Sequence, residues 1–368
     1  MSPTPGQSDE RIGSEDMPAL ISRLAPEARR WRDFLPENRN FAVVGFGKMG
    51  ILHSTILNLL RRNLVAAVVD QSRLTRLGGS KICRNLKFYG SVGQMLESED
   101  PAAVYVTTPV GSHFNVVSSL LEAGVRNIFI EKPPARNFEE LRLLIDRIRS
   151  NGTIMVGFQK RFALPFRHAR MLIKNKVVGD VQMVSSHLKS SDILVPTNRF
   201  AHLGRGALLD LGIHLVDLLL WMFEIDGVDS ANSRRIKTNV DDHFEACLRT
   251  KSNAKVTLDV TWSSPENRLP ETYIEVRGSE GTLQVTEDYL KVRASEKHPL
   301  LCEKTELSVY KPQYYANLLP VNLADPEFTL EDIHFLHSIH SSAEPLTSLR
   351  DSSAPMRLVD ELYEKACV

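Results

Sequence analysis

An α/β chain in two parts is what this sequence predicts: a doubly wound parallel sheet, then an α+β unit on a large, open, mostly antiparallel sheet. Three observations lead there. A glycine-rich turn, Gly45-Phe-Gly-Lys-Met-Gly50, lies between two short apolar runs. Apolar runs and helical periodicity then alternate as far as about residue 158. Beyond residue 180 the apolar period drops to two, the mark of strands with one covered face. The 368 residues suffice for two domains, or three at most, at ~150 residues each.

In chain order, residues 1–37 read as an extension. Residues 1–15 are rich in Ser, Pro, Gly and acid, a composition that favours disorder. From Met17 the residues Leu20, Ile21, Leu24, Ala28, Trp31 and Leu35 recur at helical spacing. They predict a short amphipathic helix, packed on the body of the chain or on a partner. No apolar leader segment follows, and Asp9, Glu10, Glu15, Asp16 and Glu27 do not suit an organelle transit peptide, so the default location is cytoplasmic. Cys83, Cys247, Cys302 and Cys367 stand far apart, with no CxxC pair and no His at zinc-ligand spacing. That excludes a zinc ribbon and a disulfide scaffold, and it fits a reducing compartment. Lys+Arg and Asp+Glu balance at 45 each, so no net field exists to hold nucleic acid or an anionic membrane. No apolar run approaches the ~18 residues of a membrane span.

Residues 38–158 form the first domain. The run Phe41-Ala-Val-Val-Gly45 leads into the glycine turn, Ile51 to Leu60 reads as a helix, and Leu64 to Val69 ends on Asp70. Strand, GxGxxG, helix, strand and acid make a dinucleotide-binding unit, with Asp70 20 residues after Gly50. Gly45 permits the tight turn, Gly47 lets the backbone approach a pyrophosphate, and Gly50 lets helix and strand pack closely. The intervening Phe46, Lys48 and Met49 bring free N–H groups to the same place. Asp70 suits ribose hydroxyls and repels a 2′-phosphate, so NAD is expected. Arg73, close enough to pair with such a phosphate, keeps NADP as the alternative. Further strands are expected at Ala102–Thr108, Asn127–Ile130 and Thr153–Gly157, with helices at His113–Ala123 and Phe138–Ile148. Thr107, Thr108, Glu131, Lys132 and Gln159 then fall at the carboxyl edge of the sheet, where ligands bind.

Residues 159–350 form the second domain, and 351–368 a C-terminal helix expected to pack back on the first. Val181 to Lys189, Phe244 to Leu248 and Val256 to Trp262 alternate; Thr272 to Arg277 meets Gly281 to Thr286 through a Gly-Ser-Glu-Gly hairpin. Between them lies one helical island, Gly206 to Leu220, whose Asp210, His214 and Asp217 share one face at i, i+4, i+7. Three polar groups on an apolar helix need a reason, since burying them unpaired costs a few kcal/mol each. From the residues alone a catalytic set, a satisfied structural network and a metal site all stay open, although nothing nearby completes a ligand set.

GFGKMG, TTPVGSHF at 107–114, EKPPA at 131–135, VGFQKRF at 156–162 and GRGALLDLGIHLVD at 204–217 occur in this order. Together they resemble the glucose–fructose oxidoreductase / inositol dehydrogenase / rhizopine-catabolism (Gfo/Idh/MocA) family, from about Asn40 to the last helix. The resemblance implies NAD(P)-linked oxidation or reduction of a sugar, sugar nucleotide or polyol, and an open sheet used for homo-oligomerisation. By the same resemblance Lys132 binds the reacting oxygen and helps move its proton, His214 is general acid/base or shares that role with Lys132, and Asp210 orients the set and binds the sugar. Thr107, Thr108, Pro109 and His113 line the nicotinamide ribose, and Arg161 holds either structure or substrate. Arg205 departs from the family, standing where a third glycine is common.

Two other classes share these motifs: a glycosidase that keeps NAD bound and uses transient oxidation, and a non-catalytic dinucleotide sensor. Pocket shape is left to loops around 189–205 and 310–330, with His187, Lys189, Asp192, Asn198, Arg199, Tyr314, Tyr315 and His334 as contributors to weigh.

Overall fold

The computed structural model describes residues 17–36, 40–148, 152–191, 205–316, 318–321 and 323–367. The first sheet has six strands: β1 (Phe41–Val44), β2 (Val65–Val69), β3 (Lys87–Tyr89), β4 (Ala103–Val106), β5 (Ile128–Glu131) and β6 (Ile154–Gly157). All pairs are parallel, in the order β3-β2-β1-β4-β5-β6. Every residue of β1, β4, β5 and β6 is buried, which is why these strands read as unbroken apolar runs rather than alternating ones. The order reverses between β1 and β4, so the connections after them leave in opposite directions and open a crevice at their carboxyl ends.

The second sheet has eight strands. They are β7 (Val181–Lys189), β8 (Ile225–Arg234), β9 (His243–Thr250), β10 (Lys255–Thr261), β11 (Glu271–Gly278), β12 (Gly281–Val285), β13 (Tyr289–His298) and β14 (Lys304–Tyr310). Their order is β14-β13-β12-β11-β7-β10-β9-β8, antiparallel except where β10 runs parallel to β7. The expected hairpin is β11/β12, in register from Ile274↔Val285 to Arg277↔Thr282. Strands β8, β13 and β14 are not legible in the sequence. β8, at the sheet edge, buries none of its residues, so it carries no apolar alternation to read.

Helices close the seam between the domains. Pro326–Ser341 packs on the helix Lys48–Leu60 of the first domain and on the 3₁₀ turn Gln159–Phe162 that leads into the second. The C-terminal helix Ser353–Lys365 packs on Phe138–Asp146 of the first domain and also on Ile213–Met222 and β8 of the second. The N-terminal apolar stripe is not one helix. Met17–Leu24 stops before Pro26, which opens a short turn Pro26–Arg29, and a 3₁₀ turn Trp31–Phe34 follows. These pieces lie on Leu164–Lys174 and Pro326–Ser341 of the same chain, with Met17, Ile21, Leu24 and Ala28 buried. Glu27 fastens them: burial opposes its charge, but His334 and Arg167 outweigh burial and lower its pKa to about 2.

Candidate active site

The glycine turn is built for a close-approaching ligand. Gly45 has φ +95°, and a Cβ there would lie 2.9 Å from the Thr108 amide nitrogen. A Cβ on Gly50 would stand 2.0 Å from the Gly45 carbonyl, so only glycine lets the helix start against β1. Gly47 differs: a Cβ on it meets nothing within 4 Å, and its backbone is extended (φ −83°). The protein leaves empty the space beside Gly47 that a phosphate would need. Gly47→Val is therefore expected to leave folding intact within ~0.5 kcal/mol and to weaken NAD binding at least ~100-fold. Paired denaturant titrations and NADH fluorescence titrations check the two halves separately.

Asp70 sits one strand away. Its Oδ2 accepts the Phe46 amide at 2.9 Å and its Oδ1 the Ser72 amide at 2.8 Å, which ties the end of β2 to the glycine turn. Arg73 is exposed at the start of the helix Arg73–Ile82; Arg76 bends back onto the Asp70 and Gln71 carbonyls. Across the crevice, Thr107 Oγ1 donates to the Gly45 carbonyl at 2.6 Å, and the hydroxyl of Thr108 is buried with no hydrogen-bond partner among the described residues. His113 braces this edge, with ring nitrogens 2.7 Å from the Thr108 carbonyl and 2.9 Å from that of Pro133. It is buried, which lowers its pKa. Pro109 is exposed, as are Gly47 and Lys48, while Met49 is half-buried. This set fits a dinucleotide: an open glycine cradle, a carboxylate at ribose distance in sequence, and an orphaned hydroxyl at the switch point.

The second domain delivers its groups on one helix, and the chain specifies how that helix begins. Asp241, from the loop between β8 and β9, accepts the amides of Gly206 at 2.6 Å and Leu208 at 2.9 Å. Its carbonyl takes the Ala207 amide at 2.7 Å, and Tyr363 of the C-terminal helix donates to its carboxylate at 3.0 Å. A Cβ on Gly206 would lie 2.1 Å from that carbonyl. The helix opens as a π-turn, Leu208–Gly212, and continues as α-helix Ile213–Met222. Such turns recur at functional sites. Asp210 stands in the π-turn, and Lys132 Nζ reaches it from the end of β5, donating to its carbonyl at 2.7 Å and its Oδ1 at 3.2 Å. Both side chains keep some exposure, 19% for Lys132 and 29% for Asp210. His214, four residues on, is buried, and its Nδ1 has no hydrogen-bond partner among the described residues. Burial first, then the Lys132 and Lys160 ammonium groups, push its pKa well below the usual value, so it is neutral near pH 7.

Asp217 does not join this set. It is buried against Arg161, which donates to it through Nε at 2.7 Å and Nη2 at 2.6 Å and through Nη1 to the Leu346 carbonyl at 3.1 Å. Arg161, weighed as a substrate ligand, thus has its guanidinium committed to a buried clamp. Arg205 is a latch: it pairs with Asp360, donates to the Arg136 carbonyl and lies over the Tyr363 ring. His187 pairs with Glu271 and Lys189 with Asp259, on the half-exposed side of β7 opposite buried Val184 and Leu188. Tyr314 binds His168 at 2.8 Å, Tyr315 accepts the Leu164 amide, and His334 bridges Glu27 and the Leu346 amide, all inside the fold. Asp192, Asn198 and Arg199 lie outside the described residues. Among the described residues no group of three His, Cys, Asp or Glu side chains could hold a metal ion.

Sequence reasoning missed Asp241, because the amides it accepts belong to Gly206 and Leu208, more than 30 residues earlier, and no local spacing marks it. It also missed His53, Asp332 and the Lys160–Glu287 pair, which join residues far apart in sequence.

Residues 39–158 match the oxidoreductase family with an NAD-binding Rossmann fold, and residues 166–284 match the Gfo/Idh/MocA C-terminal domain. The chain belongs to the Gfo/Idh/MocA family. Among curated members it is 29% identical over 202 residues to trans-1,2-dihydrobenzene-1,2-diol dehydrogenase of Xenopus laevis, 54% of this chain and 60% of that one. It is 29% identical over 181 residues to the rhizopine catabolism protein MocA of Rhizobium meliloti, 49% of this chain and 56% of that one. With D-apiose dehydrogenase of Paraburkholderia graminis the identity is 24% over 286 residues, 76% of this chain and 75% of the relative. The chain thus matches little more than half the length of the first two. Among solved Gfo/Idh/MocA folds, levoglucosan dehydrogenase with NADH and levoglucosan superposes with TM-score 0.78 at 20% identity, covering 90% of this chain and 97% of the other.

Proposed function

We propose that this protein is an NAD-dependent dehydrogenase acting on a secondary alcohol of a sugar, sugar nucleotide or cyclic polyol. One observation carries the reading: the Lys132 ammonium, from the first domain, rests on the turn of the second domain that holds Asp210, one turn from a neutral, unpaired His214. NAD, when bound, supplies the hydride acceptor. The glycine cradle Gly45, Gly47 and Gly50 would hold its phosphates, Asp70 its ribose, and Thr107, Thr108 and Pro109 the nicotinamide side. Asp70 favours NAD over NADP, since a carboxylate accepts from hydroxyls and repels a phosphate.

At the alcohol the chain's own work is proton transfer. A neutral imidazole can accept the hydroxyl proton, and His214 is held neutral by burial and by the Lys132 charge. The Lys132 ammonium stabilises negative charge on the oxygen as it loses that proton. Asp210 holds the ammonium in place and offers its remaining acceptor sites to sugar hydroxyls. The relatives it resembles in sequence are named as dehydrogenases of a dihydrodiol and of D-apiose, which supports a sugar or polyol substrate class.

No helix among the described residues is long and apolar enough to cross a membrane, and none of the four thiols forms a disulfide. A cytoplasmic setting, and self-association through the open face of the eight-stranded sheet, belong to the same proposal. The test is a screen of sugars, sugar nucleotides and inositols with NAD, followed by absorbance at the NADH band. Stoichiometric NADH formation with one class supports the reading. Release of free sugar with the cofactor recycled would make the protein a glycosidase, and tight NAD binding without turnover of any substrate would make it a sensor.

A further inference from the structure

Behind Lys132 runs a buried ionic chain that the proposed chemistry does not use. Glu131, the last residue of β5, accepts the Lys132 amide on Oε2 at 3.1 Å. Its Oε1 lies 3.1 Å from Nε2 of His53, and the other ring nitrogen of His53 lies 2.9 Å and 3.1 Å from the two oxygens of Asp332. Tyr105 from β4 donates to Asp332 at 3.1 Å. The chain therefore links the helix after the glycine turn, the seam helix Pro326–Ser341 and the strand end that presents the ammonium.

His53, Tyr105 and Asp332 are fully buried and Glu131 nearly so. Both ring nitrogens of His53 face carboxyl groups, and with both of these ionised the doubly protonated imidazolium donates to each. Burial opposes that charge, but Asp332 and Glu131 outweigh it and hold the His53 pKa well above the usual value. The groups facing His53 are Glu131 from β5, Tyr105 from β4, and Asp332 with its neighbour Glu331 from the seam helix; Phe129 and Phe328 fill the rest. Glu331 is buried with neither oxygen bonded among the described residues, and burial raises its pKa well above the carboxylate range, so it enters as a neutral group.

We propose that His53 is a positioning residue for Lys132: as an imidazolium clamped by Asp332 it fixes Glu131, and Glu131 fixes the Lys132 backbone and with it the aim of the ammonium. The inference rests on the dehydrogenase reading of Lys132. If His53 loses its proton, its Nε2 presents a lone pair to the Glu131 carboxylate, the bond becomes a repulsion, and Glu131 releases the Lys132 amide.

Asp332→Asn tests this with little change in shape, because the amide oxygen still accepts from His53 Nδ1 and from Tyr105. Removing the charge lowers the His53 pKa into the accessible range. Below that pKa the variant is expected to match the wild-type kcat. As pH rises through it, kcat falls ~10-fold or more, within the ~10²-fold that a misplacement near 1 Å can cost. KM and the NADH dissociation constant stay within ~2-fold. Superimposable wild-type and variant pH profiles of kcat would overturn the proposal.

Two readouts do not depend on activity. The His53 ring nitrogens should show no titration by NMR from pH 5 to 9 in the wild type, and titrate in Asp332→Asn. The ¹³C resonance of reductively methylated Lys132 should move at the same pH in the variant only. If the wild-type protein turns over no polyol but these two signals move together, the dehydrogenase reading fails and the positioning link stands. If Asp332→Asn does not fold, His53→Gln is the second variant. Its expected result is the lowered kcat at every pH, with no new titration; a wild-type kcat there would also overturn the proposal.

Discussion

Replacing Lys132 by alanine is expected to lower kcat at least ~10²-fold with the fold and NAD affinity unchanged. Among the described residues its Nζ hydrogen-bonds only Asp210, through the carbonyl and Oδ1, and both partners keep enough exposure for water to replace the lost bonds. No buried charge is stranded, so the stability term is small. What disappears is the ammonium that rests on the π-turn from the sheet edge, where negative charge on a reacting oxygen would be stabilised. A second change is expected as well: removing the positive charge relieves part of the pressure on His214, whose pKa then rises toward the ordinary imidazole value. The low-pH limb of the kcat/KM profile should accordingly shift to higher pH in Lys132→Ala. Steady-state kinetics on a substrate found in the screen, with NADH titration and circular dichroism on the same protein, check each part. Near-normal turnover would remove Lys132 from the chemistry.

The largest effect on stability is expected at Asp217. Asp217→Ala leaves the Arg161 guanidinium buried without its bidentate partner, at a cost of about 3–5 kcal/mol. Arg161 and Asp217 have side-chain exposures of only 8% and 1%, so solvent cannot take over the lost hydrogen bonds. The clamp also joins the turn Gln159–Phe162 to the site helix Ile213–Met222, and Nη1 reaches the Leu346 carbonyl. Its loss should therefore loosen the path on which His214 is carried. Denaturation in urea at fixed pH measures the drop; a change under ~1 kcal/mol would mean that the pair is not the clamp its geometry describes. Asp217→Asn, which keeps the shape and one acceptor, should fall between.

The first domain was legible because its determinants are local. GxGxxG between two apolar runs, with Asp70 at the next strand end, needs only neighbours in the chain, and the observed β1, β2 and glycine positions follow it closely. Asp210 and His214 stand out in the sequence for the same reason: i, i+4 spacing on one helical island predicts a common face. That spacing also misled. It put Asp217 with them, whereas burial and Arg161 draw Asp217 to the clamp, so one helix face serves two purposes at different depths. His187 and Lys189 could not be placed from sequence, since β7 has polar residues on its half-exposed side whether or not a ligand lies there.

The sequence alone determined which residue types stand at strand ends and helix starts, because backbone conformation and apolar period are properties of short segments. Only the tertiary structure decided which charges meet. Lys132 and Asp210 are 78 residues apart in sequence, Arg161 and Asp217 56, and His53 and Asp332 279. Whether a buried carboxylate is paired or stranded depends on what packing brings against it from elsewhere in the chain, and no local spacing encodes that.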